Sequence, residues 1–266
     1  MKKRNWNLYI GGGLTALLVL MIIVGAIWTP YDPDAMSSAM ISQPPSLAHP
    51  FGTDNFGRDI FSRVLKGGGT SLLIAVSTVV IGAVFGILIG SLTGYFGGWV
   101  DEVLMRFNDA VAAFPSILLA LVCVSIFGTG KYKIILALGI LFIPSFARIV
   151  RGEFVKERNR DYVENAKIMG AGPMRILFAH ILPNVRSVLM SSLAIGFNNA
   201  VLAEASMSYL SMGVQPPDAS LGRMLAESQG SMFTAPWDAI CTGAFIVLLI
   251  LGCSLLGQGL QEQEVD

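Results

Sequence analysis

An all-α membrane protein with about six transmembrane helices is the fold class this sequence predicts, on three observations. Hydrophobic residues make up 53% of the 266 and charged residues only 14%, where a soluble domain carries about a quarter; mean hydropathy is +0.64. Six apolar stretches, near 9–28, 71–94, 103–127, 133–151, 187–206 and 238–258, are each long enough to cross the hydrocarbon core as a helix. Continuous runs of this length lack the alternation of a barrel, which leaves helices as the way to satisfy the backbone in lipid. Lys and Arg are the third observation. With the N-terminus inside, the cytoplasmic segments hold twelve of them, Lys2, Lys3, Arg4, Arg106 and eight between Arg148 and Arg186. The opposite side holds six. That bias places both termini in the cytoplasm.

The first stretch follows Met1-Lys2-Lys3-Arg4 and reads as an uncleaved signal-anchor, because about 20 apolar residues exceed the core of a cleaved leader. Segment 29–70 then lies outside. Pro30, Pro33, Pro44, Pro45 and Pro50 keep its first half extended or turned. Beyond them Thr53 or Asp54 can cap a short helix on which Phe56, Ile60, Phe61 and Val64 recur at helical spacing, an amphipathic helix at the membrane surface. Residues 1–70 thus form an anchor plus an external segment, and 71–258 a core of five spans.

Gly82, Gly86, Gly90 and Gly94 put small residues on one face of the second span, a close-packing surface for another helix, of the same subunit or of a partner subunit. Arg106 and Asp109, three apart in the third span, are expected to pair. Asp161 to Met169 reads as a helix, closed by Gly170 and followed by a new start at Gly172-Pro173. The cationic loop 152–186 is therefore a helix–turn–helix elbow. In the fifth span Asn198, Asn199 and Glu204 are candidates for a translocation path or a subunit interface, since ionisable groups in lipid face protein or water. Gly213, Pro216 and Pro217 break that helix into a re-entrant or interfacial loop over 207–236, and Trp237 is expected to anchor the sixth span at the interface. Residues 259–266 form a short, acidic cytoplasmic tail.

Several chemistries are excluded. Cys123, Cys241 and Cys253 lie in apolar runs and His49 and His180 are far apart, so no metal site or catalytic centre follows. Gly67-Gly68-Gly69-Thr70 lacks the Lys of a phosphate-binding loop, so this chain is not expected to hydrolyse ATP.

Glu164, Asn165, Ala166, Gly170, Leu182 and Pro183 together resemble the cytoplasmic EAA loop of permease subunits of bacterial binding-protein-dependent ABC importers, with Asn165 where that pattern usually has Ala. Gly52, Thr53, Asp54, Gly57, Arg58 and Asp59 sit in a stretch similar to the GTDxxGRDxxSR signature of peptide and nickel importer permeases. Met207 to Pro217 is similar to the SFLGLGVQPP stretch of the same group. The resemblance implies the second, C-type permease of a dipeptide, oligopeptide or nickel importer in the bacterial inner membrane. It further implies a homologous permease partner, two ATPases holding ATP and Mg at the coupling loops, and an external solute-binding protein. No cofactor is implied in this chain and no nucleic acid is implied as partner. The Gly257 to Glu262 end departs from the usual basic tail. Peptide and nickel both remain open at this point, with a secondary transporter as the remoter alternative; no internal repeat of the kind such carriers show is evident.

Overall fold

The computed structural model describes residues 5–265. Lys2, Lys3 and Arg4 of the charge argument, and Asp266 of the tail, lie outside them. Five helices are long and apolar enough to cross a membrane: α1 (Trp6–Ile27), α2 (Ile60–Phe96), α5 (Lys131–Glu157), α9 (Arg186–Tyr209) and α11 (Pro236–Val265). Between α2 and α5 lie α3 (Gly98–Ala112) and α4 (Ser116–Phe127), bent 89° from each other. Among the described residues there is no strand, only an isolated bridge between Thr53 and Asp59.

The expected third span, 103–127, is therefore a broken pair. Pro115 has no N–H and disfavours helical φ/ψ at Phe114, and α3 carries Asp101, Glu102, Arg106 and Asp109, which lipid would not accept in a crossing helix. The expected Arg106–Asp109 pair is also corrected. Arg106 Nη2 donates to Glu102 Oε1 at 2.8 Å, one full turn away, while Asp109 accepts from Arg148 of α5 at 2.9 Å.

The glycine stripe packs inside the subunit, against α5, which resolves the two readings its spacing allows. A Cβ on Gly82 would lie 2.7 Å from Phe142 Cβ, on Gly90 2.5 Å from Ala147 O, and on Gly94 2.6 Å from Phe154 Cβ. Only hydrogen lets α2 and α5 approach this closely. Bare glycine faces replace the hydrophobic drive that is absent between helices in lipid. At the other flank α1 lies against α11, where Asn5 Nδ2 donates to Gly259 O at 2.6 Å and Asn7 Nδ2 to Glu262 Oε1 at 3.0 Å. Residues 259–265 consequently continue α11 rather than forming a separate tail.

The external segment departs most from expectation. Gly52 to Asp59 forms a tight turn rather than a surface helix, with Gly52 and Gly57 at φ +75° and +73°. A Cβ on either would meet the backbone of Gln43 or Ser37. Asp54 Oδ1 closes the turn by accepting from the N–H groups of Phe56 and Arg58 at 2.8 and 2.9 Å. Asp59 is the cap, accepting from Ser62 N at 2.8 Å, and α2 then runs from Ile60 across position 70 without a break. The apolar periodicity at Ile60, Phe61 and Val64 belongs to the first turns of a span. Trp237 is likewise turned inward, and its Nε1 donates to Thr53 O at 3.1 Å.

Gly90→Val should separate α2 from α5 and cost about 1–3 kcal/mol as overpacking, whereas Gly13→Ala, which meets nothing within 4 Å, should stay within about 0.5 kcal/mol. Thermal unfolding of the detergent-solubilised protein compares the two; equal melting temperatures would remove the seam from the account.

Candidate functional site

The cytoplasmic elbow is built from α6 (Asp161–Ile168), α7 (Pro173–Arg175), a π-helical stretch Ile176–Ile181 and α8 (Leu182–Asn184). Val163 and Ala166 stand three apart on α6 and are buried against Val150 and Phe154 of α5 and against Ile176, Leu177, Ile181 and Val185. This small core joins the elbow to the inner ends of α5 and α9. The C-terminus of α6 ends in a paired hydrogen-bond motif: Gly170 N–H donates to Lys167 O and Ala171 N–H to Ala166 O, each at 3.0 Å. Gly170 has φ +80°, which the motif requires and glycine adopts without strain. Pro173 then starts α7 where its missing N–H costs nothing.

The elbow is tied to the membrane helices by directed bonds. Tyr162 Oη donates to Glu157 Oε2 at 2.9 Å, and burial followed by this carboxylate pushes the phenol upward, so it stays a donor. Arg158 Nη1 donates to Gly94 O at 3.2 Å, linking α5 to the end of α2. Arg151 grips Asp101 of α3 through two bonds of 2.5 and 2.6 Å, the bidentate geometry that fixes orientation. Pro183 interrupts the helical ladder, and Asn184 Nδ2 satisfies the carbonyl of His180 at 2.7 Å. A π-helical stretch is the local adjustment that accommodates such a break.

The sequence-named loop residues separate into two groups. Glu164, Asn165, Gly170 and Pro183 are exposed. Ala166 is buried within the elbow and Leu182 is half-buried against its core. Glu164 forms no ion pair among the described residues. The most exposed large apolar side chains of the elbow are Ile168, at 83%, and Met169, at 87%, and Met174 and Phe178 are exposed as well. Sequence reasoning missed this patch. Ile168 and Met169 look like Val163 and Ala166 in composition, and only their angular position on α6 distinguishes the faces.

Within the membrane a cavity of about 390 Å³ lies between α4, α5 and α9. Asn199 lines it, whereas Asn198 and Glu204 do not. The Asn198 Oδ1 atom is buried without a hydrogen-bond partner among the described residues. Glu204 is fully buried and meets hydroxyls rather than cations. It accepts from Ser71 Oγ of α2 at 2.8 Å and from Ser208 Oγ at 2.7 Å. Those two serines in turn accept the backbone N–H groups of Leu221 and Val214, at 3.1 and 3.2 Å. One carboxyl thus knots α2, α9 and the returning loop that leads into α10 (Leu221–Ser228).

The outer turn holds the other polar cluster. Arg58 Nε donates to Asp54 Oδ2 at 2.6 Å and its Nη2 to Glu227 Oε2 of α10 at 2.7 Å; Arg63 Nη2 and Arg223 Nε also reach Glu227, at 3.3 and 3.1 Å. Asp59 additionally meets His49 Nδ1 at 2.8 Å. Burial alone would raise the Glu227 carboxyl, but the Arg58 hydrogen bond and the charges of Arg58 and Arg63 outweigh it and hold it below the ordinary 4.5. Asp54, Arg58 and Asp59 therefore fasten the external segment to α2 and α10.

Residues 86–263 match the family described as the binding-protein-dependent transport system inner membrane component. The chain belongs to this family. It is 41% identical over 261 residues to a glutathione transport system permease protein of Escherichia coli, covering 97% of this chain and 86% of that protein. It is 35% identical over 266 residues to a dipeptide transport system permease protein of Haemophilus influenzae, covering 98% and 90%. A structure of the methionine ABC transporter MetNI in an inward-facing conformation shares the fold, with a TM-score of 0.65 at 18% identity, over 75% of this chain and 95% of that one. The protein is thus a multi-pass permease subunit of an ABC importer in the bacterial inner membrane, working with a partner permease, an ATPase and a binding protein. The family match begins inside α2, while the peptide-type permeases align over nearly the whole chain, including α1 and the outer turn.

Two outcomes follow for this permease. Glu204→Ala should destabilise it by about 2–4 kcal/mol, because orphaned buried hydroxyls and amides cost about 1–3 kcal/mol each, and Glu204→Gln should lose less than half of that; chemical unfolding in detergent compares them. The second concerns pH. Since the folded pKa of Glu227 lies below its unfolded value, its stabilising contribution is complete above about pH 4.5 and disappears as pH falls through the lowered value. Protection factors over 221–228, which allow for the slower intrinsic exchange in acid, should fall on acidification through that window in the wild type, with a smaller change in Glu227→Gln.

Proposed function

We propose that this subunit forms half of the translocation pathway of an importer for dipeptides or short oligopeptides delivered by an external binding protein. The supporting observation is the identity of 35–41% with glutathione and dipeptide permeases over 92% or more of the chain. Import of nickel or a metal chelate is the weaker reading, since the relatives named above are glutathione and dipeptide permeases.

The elbow would seat one ATPase. Its exposed tip is apolar at Ile168 and Met169, rimmed by Glu164, Lys167 and Arg175, and water contacts all of them in the isolated chain. An apolar anchor within a polar rim is the anatomy of a protein interface. Behind the tip, the packed core on Val163 and Ala166 would carry a push on α6 to α5 and α9 as a rigid-body movement. A second permease would bring its own elbow, giving two ATPases per assembly, with ATP and Mg held in those subunits. ATP binding would then bias inward-open against outward-open states through its different affinity for the two.

Ile168→Asp and Met169→Asp should each reduce ATPase co-purification at least about tenfold, as loss of a central apolar anchor does, and leave the melting temperature of the permease unchanged because both side chains are exposed. Gly170→Asp and Glu164→Arg should weaken it as well. Retention of the ATPase by all four variants would exclude docking at this elbow. Uptake of a radiolabelled dipeptide against ⁶³Ni²⁺ in proteoliposomes of the assembled importer decides the cargo.

A further inference from the structure

We infer that the cavity between α4, α5 and α9 is a transit site that recognises the amide backbone of its substrate without any fixed charge, and that Asn199 determines its charge tolerance. This rests on the peptide-import reading and gives that reading a site. Among the residues lining the cavity there is no Asp, Glu, Lys, Arg or His. Its polar groups are Ser116 on α4, Ser145 on α5, and Ser192, Asn199 and Ser206 on α9. They reach the space from three helices, between apolar walls that include Leu138 and Phe142.

The donor and acceptor inventory is informative. Ser192 Oγ donates to Val188 O at 2.6 Å and Ser206 Oγ to Leu202 O at 2.7 Å. Both hydroxyl hydrogens are thus committed to the helix backbone, so at the lining each hydroxyl has only acceptor capacity left. Asn199 is exposed and its amide offers both a donor and an acceptor. A peptide bond presents the complementary pair, one N–H and one C=O, whatever side chains flank it. A cavity of about 390 Å³ falls within the size range of small-molecule sites.

The absence of charge on this lining has a consequence for transport. A fixed carboxylate or guanidinium in a low-dielectric wall would hold the opposite substrate charge strongly, and conduction needs binding weak enough to release. An uncharged lining lets cationic, neutral and anionic peptides leave alike. It also provides no carboxylate, imidazole or thiolate to strip the hydration of a bare divalent cation. The chemical class is therefore an amide-bearing solute, with charge selection left to other parts of the assembly.

The test is ATP-driven uptake by the full importer in proteoliposomes, at saturating binding protein, of three dipeptides with a neutral, a cationic and an anionic side chain. Asn199→Asp places one negative charge on the lining, and the anionic-to-neutral uptake ratio should fall about tenfold from like-charge repulsion. Ser206→Asp, at a second lining position, should change that ratio in the same direction and keeps the question open to measurement should Asn199→Asp fail to assemble. Asn199→Leu should lower uptake of all three while the ratios hold. Unchanged ratios in both Asp variants, with the ATPase still bound, would overturn the inference. A wild-type importer that moves none of the three dipeptides would instead defeat the peptide reading beneath it, and this site with it.

Discussion

The seam between α2 and α5 is the constraint on which the other parts depend. Four glycines a turn apart let α5 lie directly on α2, with Phe142, Phe146, Val150 and Phe154 settling where side chains would otherwise stand. In lipid no hydrophobic effect pulls two helices together, so close packing has to supply the adhesion. Once α5 is fixed, its middle becomes a wall of the cavity and its inner end becomes the base of the elbow. Arg158 on Gly94 O, just beyond the seam, extends the same alignment into the cytoplasm.

The two ends of the molecule are stabilised by different physics. Outside, the turn at Gly52 to Asp59, α10 and the top of α2 are held by directed bonds among Asp54, Arg58, Arg63 and Glu227, with Glu204 and its serines one layer deeper. Such a network has one satisfied geometry, and partial disruption leaves buried polar groups unpaired. Inside, the elbow rests on an apolar core of Val163, Ile176, Leu177 and Ile181 against Phe154. An apolar contact tolerates small sliding that a carboxyl–guanidinium fork does not.

Membership in the binding-protein-dependent permease family accounts for this arrangement only in outline. The family match covers the core from within α2, whereas the outer turn and α1 lie before it. Those parts align with the glutathione and dipeptide permeases. The polar outer cluster joins the two regions, since Arg58 precedes the match and Glu227 lies within it. With Arg63 on the same carboxylate and Trp237 on the Thr53 carbonyl, that ion pair fastens the external layer to the common core.

Much of this was legible in the chain itself. Apolar length predicts the long helices, because lipid demands internal hydrogen bonding of every backbone group. The elbow is legible too, since Gly170 and Gly172-Pro173 act through local backbone geometry that needs no distant partner. The glycine stripe names a close-packed face, although only α5 reveals what fills it. Direction was not legible. Asp54 reads as a candidate cap of a surface helix, yet it is buried beside Arg58, which reaches Glu227, 169 positions away. Trp237 reads as an interface anchor, and nothing near it in the chain shows that its N–H donates to Thr53, 184 positions away. Glu204 and Asn199, five residues apart on one helix, part company because one faces the serines of α2 and α9 and the other faces the cavity. The sequence by itself determined that long apolar segments are helical and which side the basic loop occupies, consequences of local geometry and transfer to lipid. Tertiary structure alone decided which polar group finds which partner, because a buried charge or amide is satisfied by whatever distant segment the packing brings within about 3 Å of it.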